Sequence, residues 1–290
     1  MGRATRVLCG GIYYGEGPRW RDGRLWFTDF FAHAVYSVSL AGDLRTEVKI
    51  DDQASGLGWM PDGSLLVVSM TKRQVLRRSL EGKIAVHADL SHIAGGPCND
   101  MVVDSKGRAY VGNFGYDLYA DKRSAQAIIA DHPTAKLACV TPDGSAQVAA
   151  EDIDFPNGTV ITPDEKTLII GETFGGRLTA FDIGADGSLG NRRVWAATSP
   201  RMPDGIALDA KGRVWMAHPF APECVLYAEG GEVVEVIDTG MPCFACMLGG
   251  DDGRSLFMLT APTYHKDEAS ASPKGKLLVA KVDVPHAGLP

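Results

Sequence analysis

The sequence predicts an all-β fold, a six-bladed β-propeller of four-stranded blades, on three observations. Glycine and proline are abundant, 34 and 16 of 290 residues, where an ordinary chain holds about 12% of the two together. A hairpin pattern recurs six times: apolar strand, tight turn, then a strand rich in aromatic and branched residues. The turns sit at positions 23, 63, 107, 165, 212 and 253, at intervals of 40, 44, 58, 47 and 41 residues. That is the period of a four-stranded blade.

The six hairpins are Gly17–Thr28, Gly56–Val68, Asp100–Gly112, Gly158–Ile170, Gly205–Ala217 and Met247–Leu259. Five of their six turns contain glycine, which supplies the positive φ of a tight hairpin turn. A third strand follows each hairpin, at Ala34–Leu40, Gln74–Ser79, Lys136–Thr141, Leu178–Ile183, Val225–Ala228 and Lys276–Val282. A fourth strand fits Arg45–Ile50, Ile84–His87, Gln147–Ala149, Arg193–Ala197 and Glu232–Val236. The sixth unit lacks its fourth strand, and the spare N-terminal strand Thr5–Tyr13 is expected to supply it and close the ring. Residues 1–290 therefore read as one propeller domain.

Composition excludes several functions. A net charge of −7 disfavours nucleic acid or an anionic membrane as partner, since both need a basic face. No run reaches the ~18 apolar residues of a membrane span. Met1–Gly17 lacks the apolar centre of a signal peptide, so a cytoplasmic protein with reduced thiols is expected. Cys243 and Cys246 form a lone CxxC without the further ligands that zinc requires. Oligomeric state is not legible.

The inner strand of each unit starts about eight residues before its turn, at Glu16, Ser55, Asn99, Asn157, Asp204 and Ala245. In a propeller these positions converge at one end of the central channel. Two carboxylates and two amides there make a ring of oxygen donors suited to one hard divalent cation, with Ca²⁺ the first choice. Mn²⁺, Zn²⁺, Fe²⁺ or Mg²⁺ would fit the same residues.

The second strands return to the same end, finishing at Asp29, Ser69, Asn113, Glu172, His218 and Thr260, which are polar in all six units. They are expected to wall a polar pocket around the metal. Asp29, Asn113, Glu172 and His218 are candidate substrate contacts, beside Asn99. Two insertions, 114–135 and 261–275, fall on this face and could act as lids. Their aromatic tips, Tyr116, Tyr119 and Tyr264, are candidate substrate contacts, Tyr116 first among them.

Four motifs occur in order on this repeat: Glu16-Gly17-Pro18-Arg19-Trp20, Asn99-Asp100, Pro156-Asn157-Gly158 and Pro203-Asp204-Gly205. With them the chain resembles the senescence-marker-protein/gluconolactonase/luciferin-regenerating-enzyme family from Glu16 to Val284. The resemblance implies a six-bladed propeller with one divalent metal in its channel and, for many members, hydrolysis of lactones. It also implies Glu16, Asn157 and Asp204 as metal ligands, Asn99 as ligand or substrate contact, and Asp100 as support behind them. Sugar-lactone members place an arginine two residues before the Asn-Asp pair; here that residue is Pro97, after Gly95 and Gly96. A lactone less hydroxylated than an aldonolactone, or a partly aromatic one, is therefore expected.

The expected chemistry is hydrolysis of a small-molecule lactone by metal-activated water, with Asp204 as general base and Glu172 or His218 as alternatives. A phosphotriesterase-type hydrolase on the same metal, or a non-enzymatic metal-stabilised binding propeller, stays open. A serine triad is disfavoured because there is no G-x-S-x-G elbow.

Overall fold

The computed structural model describes residues 3–290. The first strand, β1 (Thr5–Ile12), precedes the first blade, β2 (Gly15–Arg21), β3 (Arg24–Asp29), β4 (Ala34–Ser39) and β5 (Leu44–Lys49). The second blade is β6 (Ala54–Trp59), β7 (Leu65–Ser69), β8 (Gln74–Arg78) and β9 (Ile84–Asp89). The third is β10 (Cys98–Val103), β11 (Ala109–Asn113), β12 (Ala135–Val140) and β13 (Ala146–Ile153), with helix α1 (Ala125–Ala130) between β11 and β12. The fourth is β14 (Pro156–Ile161), β15 (Thr167–Glu172), β16 (Arg177–Ile183) and β17 (Leu189–Ala197). The fifth is β18 (Ile206–Leu208), β19 (Val214–His218), β20 (Glu223–Tyr227) and β21 (Val233–Asp238). The sixth takes β22 (Cys243–Gly249), β23 (Ser255–Thr260), helix α2 (Lys266–Ala271) and β24 (Gly275–Lys281).

These strands form six four-stranded antiparallel sheets. β1 pairs with β24 from Thr5↔Ala280 to Ile12↔Gly275, so the N-terminal strand completes the sixth blade as expected. The inner strands β2, β6, β10, β14, β18 and β22 each pack against the next, and β22 packs against β2. The ring is a six-bladed β-propeller. Its apolar core is divided among the blade interfaces: Val102, Tyr110 and Leu137 of the third blade, for instance, pack on Ile161, Leu168 and Phe181 of the fourth. At the end opposite the strand starts, the C-terminal tail crosses the fourth and fifth blades. Leu289 bridges Ile161 and His286 bridges Asp209. Among the described residues, no helix is long and apolar enough to cross a membrane.

A recurrent irregularity shapes the channel. In the first four blades and the sixth, the pairing of the two inner strands slips by one residue just past the strand start. The slips lie between Glu16 and Arg19, Ala54 and Leu57, Cys98 and Met101, Pro156 and Thr159, and Cys243 and Ala245. Such a bulge bends the strand and re-aims the side chain beside it. Four of the residues after the ring position are glycines because the neighbouring inner strand runs directly against them. A Cβ on Gly56 would lie 2.4 Å from Met101 N, and one on Gly158 would lie 2.4 Å from Ile206 N and 2.6 Å from Asp204 O.

Behind the ring, Arg19 reaches across three blades from within β2. Its Nε donates to Leu57 O (3.1 Å), Nη1 to Pro18 O (2.7 Å), and Nη2 to Asp100 Oδ1 (2.9 Å) and to Met101 O. Both members of the ion pair are buried, Arg19 at 4% and Asp100 at 7% exposure. The sequence quotes Arg19 within a motif but gives no sign of this partner, 81 residues away.

Two outcomes follow for stability. Gly158→Ala forces backbone apart and is expected to cost about 1–3 kcal/mol in urea unfolding. Gly190→Ala, whose Cβ would meet nothing within 4 Å, should change stability by less than about 0.5 kcal/mol. Arg19→Met leaves Asp100 buried without its cationic partner and should cost about 3–5 kcal/mol. Adding Asp100→Asn to Arg19→Met should recover part of that loss; no recovery would show that the charge pair is not what the arginine supplies.

Candidate metal and active site

Glu16, Asn99 and Asn157 are each the second residue of their inner strand, and Asp204 holds the matching place just before β18. All four line one cavity in the channel mouth and are 5 to 6% exposed. Ser55, the fifth ring residue, is buried and donates from Oγ to Asn99 Oδ1 (3.3 Å). The sixth position is Phe244, one residue before the expected Ala245. Gly158 N–H donates to Asp204 O (3.1 Å) and Gly205 N–H donates to Phe244 O (2.8 Å), which makes Phe244 the counterpart of Asp204. The oxygen donors thus occupy part of the ring, and Phe244 gives it an apolar side.

The electrostatics of the floor are unbalanced. Burial, then the neighbouring charges of Asp204 and Asp100, push the Glu16 carboxyl well above its ordinary range. Burial, then the Asp100 charge, does the same to Asp204, opposed by hydrogen bonds from Asn157 and the Gly205 backbone. Arg19 is committed to Asp100 and three carbonyls, so it does not reach Glu16 or Asp204 as an ion-pair partner. Asn157 donates from Nδ2 to Thr173 Oγ1 (3.2 Å), leaving its carbonyl oxygen free.

This donor set fits a hard divalent cation. Two carboxylates repelling each other in a buried site, with amide oxygens beside them and no cationic side chain opposite, are stabilised by a bound positive ion. Among the described residues there is no cluster of three or more His, Cys, Asp or Glu side chains arranged to hold a metal. The set present here draws half its donors from amides.

The expected polar wall is turned the other way. Asp29, Asn113, Glu172 and His218 do not line the cavity. Successive side chains of a strand point to opposite sides, and these four bind neighbouring strands and loops outside the cavity. Asp29 accepts hydrogen bonds from the N–H groups of Tyr13, Tyr14, Phe31 and Ala32 (2.8 to 3.2 Å). Asn113 accepts from Gly115 N (2.9 Å) and donates to Lys136 O (2.7 Å). Glu172 is fully buried and bound by Arg177, Arg192, Thr179 and the Asp154 N–H, so it has no free edge for proton transfer. His218 Nδ1 is 3.0 Å from Glu223 Oε1.

The wall itself is formed by the residues these groups anchor. Phe30, Phe114, Thr173 and Pro219, each one residue beyond Asp29, Asn113, Glu172 and His218, line the cavity. The pocket is therefore aromatic where a polar one was expected. The signal was present in the sequence, but these phenylalanines resemble ordinary core residues until the loops are placed.

The insertions do sit over the mouth. They hold α1 and α2, and they belong to the third and sixth blades, which face each other across the ring. Lys266 Nζ lies 5.0 Å from the Tyr119 ring centroid and joins the two. Tyr119 and Tyr264 line the cavity; Tyr116 does not, and its hydroxyl is buried without a hydrogen-bond partner.

Comparisons with known proteins agree with this architecture. Pentonolactonase XacC of Haloferax volcanii is 25% identical over 306 residues, spanning 99% of this chain and 96% of its own. A solved luciferin-regenerating enzyme superposes with a TM-score of 0.83 at 19% identity, covering 99% of both chains. Regucalcin from Agrobacterium tumefaciens, a calcium-binding protein, superposes with a TM-score of 0.81 at 21% identity, over 99% of this chain and 97% of its own. The profile of the SMP-30/Gluconolactonase/LRE-like region matches residues 14–262, and the chain belongs to that family.

Proposed function

We propose that the protein is a lactonase, a hydrolase that opens a cyclic ester with the aid of one divalent cation in the channel mouth. The observation that carries this reading is the convergence of Glu16 and Asp204, two buried carboxylates without cationic partners, with Asn99 and Asn157 on the floor of a cavity. The family and the relative named pentonolactonase support the reaction class.

Glu16, Asn157 and Asp204 would hold the cation, with Asn99 as a fourth ligand or a substrate contact. Calcium is the first choice because every donor is oxygen. A cation bound there supplies Lewis-acid polarisation of the ester carbonyl, an effect worth several kcal/mol on the barrier. The chain's own part is positional and acid–base. Asp204 accepts the proton of the water that adds to the carbonyl carbon. The carbon–oxygen bond of the ring then breaks, and the ring oxygen leaves as an alcohol once it has gained a proton. The product is an open-chain hydroxy acid. Glu172 and His218 are held away from this step by their own partners. The aromatic wall supports a substrate with fewer hydroxyls than an aldonolactone.

Treatment with a chelator should abolish lactone hydrolysis, followed by proton release, and one divalent cation should restore it. Asp204→Ala should remove both the activity and the cation response while the fold persists; full turnover in that variant would overturn the mechanism. Stability carries a second test. A carboxyl whose pKa is higher folded than unfolded binds its proton more tightly in the native state. The cation-free protein should therefore lose stability as pH rises from the ordinary carboxylate range through the folded values. Asp204→Asn should raise the melting temperature of the chelated protein at neutral pH and eliminate the further rise on adding Ca²⁺.

A further inference from the structure

The cavity above the oxygen ring is larger and more apolar than one small polar ring requires. Its volume is about 520 Å³, within the range of sites that enclose drug-sized ligands. Its sides are two packed sets of rings. In one, Tyr14 packs at a tilt against Phe30 and Phe244, at centroid separations of 5.0 and 4.6 Å, with Phe31 edge-on at 6.1 Å. In the other, Phe155 lies 4.8 Å from Phe114 and 4.6 Å from Phe174. The first set comes from the first and sixth blades, the second from the third and fourth, so the two confront each other across the channel.

The charged side chains that line the cavity, among them Asp121, Arg123, His265, Lys266 and Glu268, belong to the two insertions at its mouth, and few polar groups lie between the aromatic walls. The Thr173 hydroxyl already donates to Pro203 O (2.8 Å) and accepts from Asn157. The segment before Asn99 offers no side chain. A Cβ on Gly95 would lie 2.2 Å from Gly115 O and one on Gly96 2.0 Å from Tyr116 O, because the third-blade insertion packs directly on them. Phe114, whose N–H donates to Pro97 O (2.9 Å), enters the cavity at that point. Between the walls, hydroxyls of a sugar ring would face aromatic edges rather than the charged groups of the mouth, which is unfavourable. An apolar body would gain from the same burial.

We infer that the substrate is an aryl-bearing or aryl-fused lactone. Its flat apolar body lies between the Tyr14/Phe30/Phe244 and Phe114/Phe155/Phe174 walls, and its ester carbonyl lies over Glu16, Asn157 and Asp204. The orientation of the ester rests on the lactonase reading above; the preference for an apolar body rests on the walls alone. Phe220, 41% exposed and 5.5 Å from Tyr264, extends the apolar path to the rim.

The test separates the two. Binding of inert ring analogues to the full chain is measured by calorimetry, with an aryl-fused lactam against gluconolactam, in which the ring ester of gluconolactone is replaced by an amide. The aryl lactam should bind at least tenfold more tightly. Phe155→Leu and Phe244→Leu, which keep most of the volume but remove the ring, should weaken it several-fold, as should Phe220→Ala at the exposed rim, where folding is not at stake. Equal affinity, or tighter binding of gluconolactam, overturns the inference. Hydrolysis of dihydrocoumarin and gluconolactone is then compared. If the aryl lactam binds preferentially but neither lactone is opened, the apolar-body assignment stands and the lactonase reading falls. If gluconolactone is opened with the higher kcat/KM and gluconolactam binds more tightly, the lactonase reading stands and the inference is overturned.

Discussion

The inner strands crowd so closely around the channel that the pairing of the two inner strands slips by one residue just past the ring position, and the rest of the site depends on that slip. It lies beside Glu16, Asn99 and Asn157, which converge on one cavity with Asp204, set just before β18, although some two hundred residues of chain separate the first from the last. The glycines at 17, 56, 158 and 205 are part of the same constraint. At 56, 158 and 205 a side chain would collide with the next inner strand, and at 17 the positive φ disfavours one. Close approach, bulge and donor convergence are one feature of the ring seen at three scales.

That convergence gathers negative charge in a place that cannot solvate it well. The structure neutralises part of it permanently, with Arg19 buried against Asp100, and leaves Glu16 and Asp204 without a cationic partner. The division has a physical logic. The fixed pair braces the first three blades behind the site, while the uncompensated pair is the one to which the proposed function assigns a cation. Burying two carboxylates without cationic partners is unfavourable, and functional sites commonly carry such a cost.

The polar residues that close the second strands show how a real signal can be misread. Asp29, Asn113, Glu172 and His218 are equivalent and polar, as their spacing indicated, and all lie at the site end of the propeller. Their side chains nevertheless turn to the adjacent strands and loops, where they hold backbone N–H groups or neighbouring side chains in place. Those loops present Phe30, Phe114, Thr173 and Pro219 to the cavity. A strand's alternation is easy to count within the strand and is lost in the loop beyond it. The shift from Ala245 to Phe244 comes from the turn end of the hairpin, where the β22–β23 pairing runs one position further, to Gly249↔Ser255, than its counterpart in the second blade, which ends at Trp59↔Leu65.

What the sequence by itself determined is whatever repeats: six blades, the closing strand β1, the four oxygen donors, and the placement of both insertions. Repetition makes equivalent positions visible because each blade solves the same packing problem with similar residues. What only the tertiary structure decided is what joins unlike positions. The Arg19–Asp100 pair crosses three blades, Lys266 meets Tyr119 across the mouth, and phenylalanines and tyrosines from several blades face one another over the oxygen ring. None of these contacts has a fixed spacing along the chain, because each depends on where ring closure brings distant segments together.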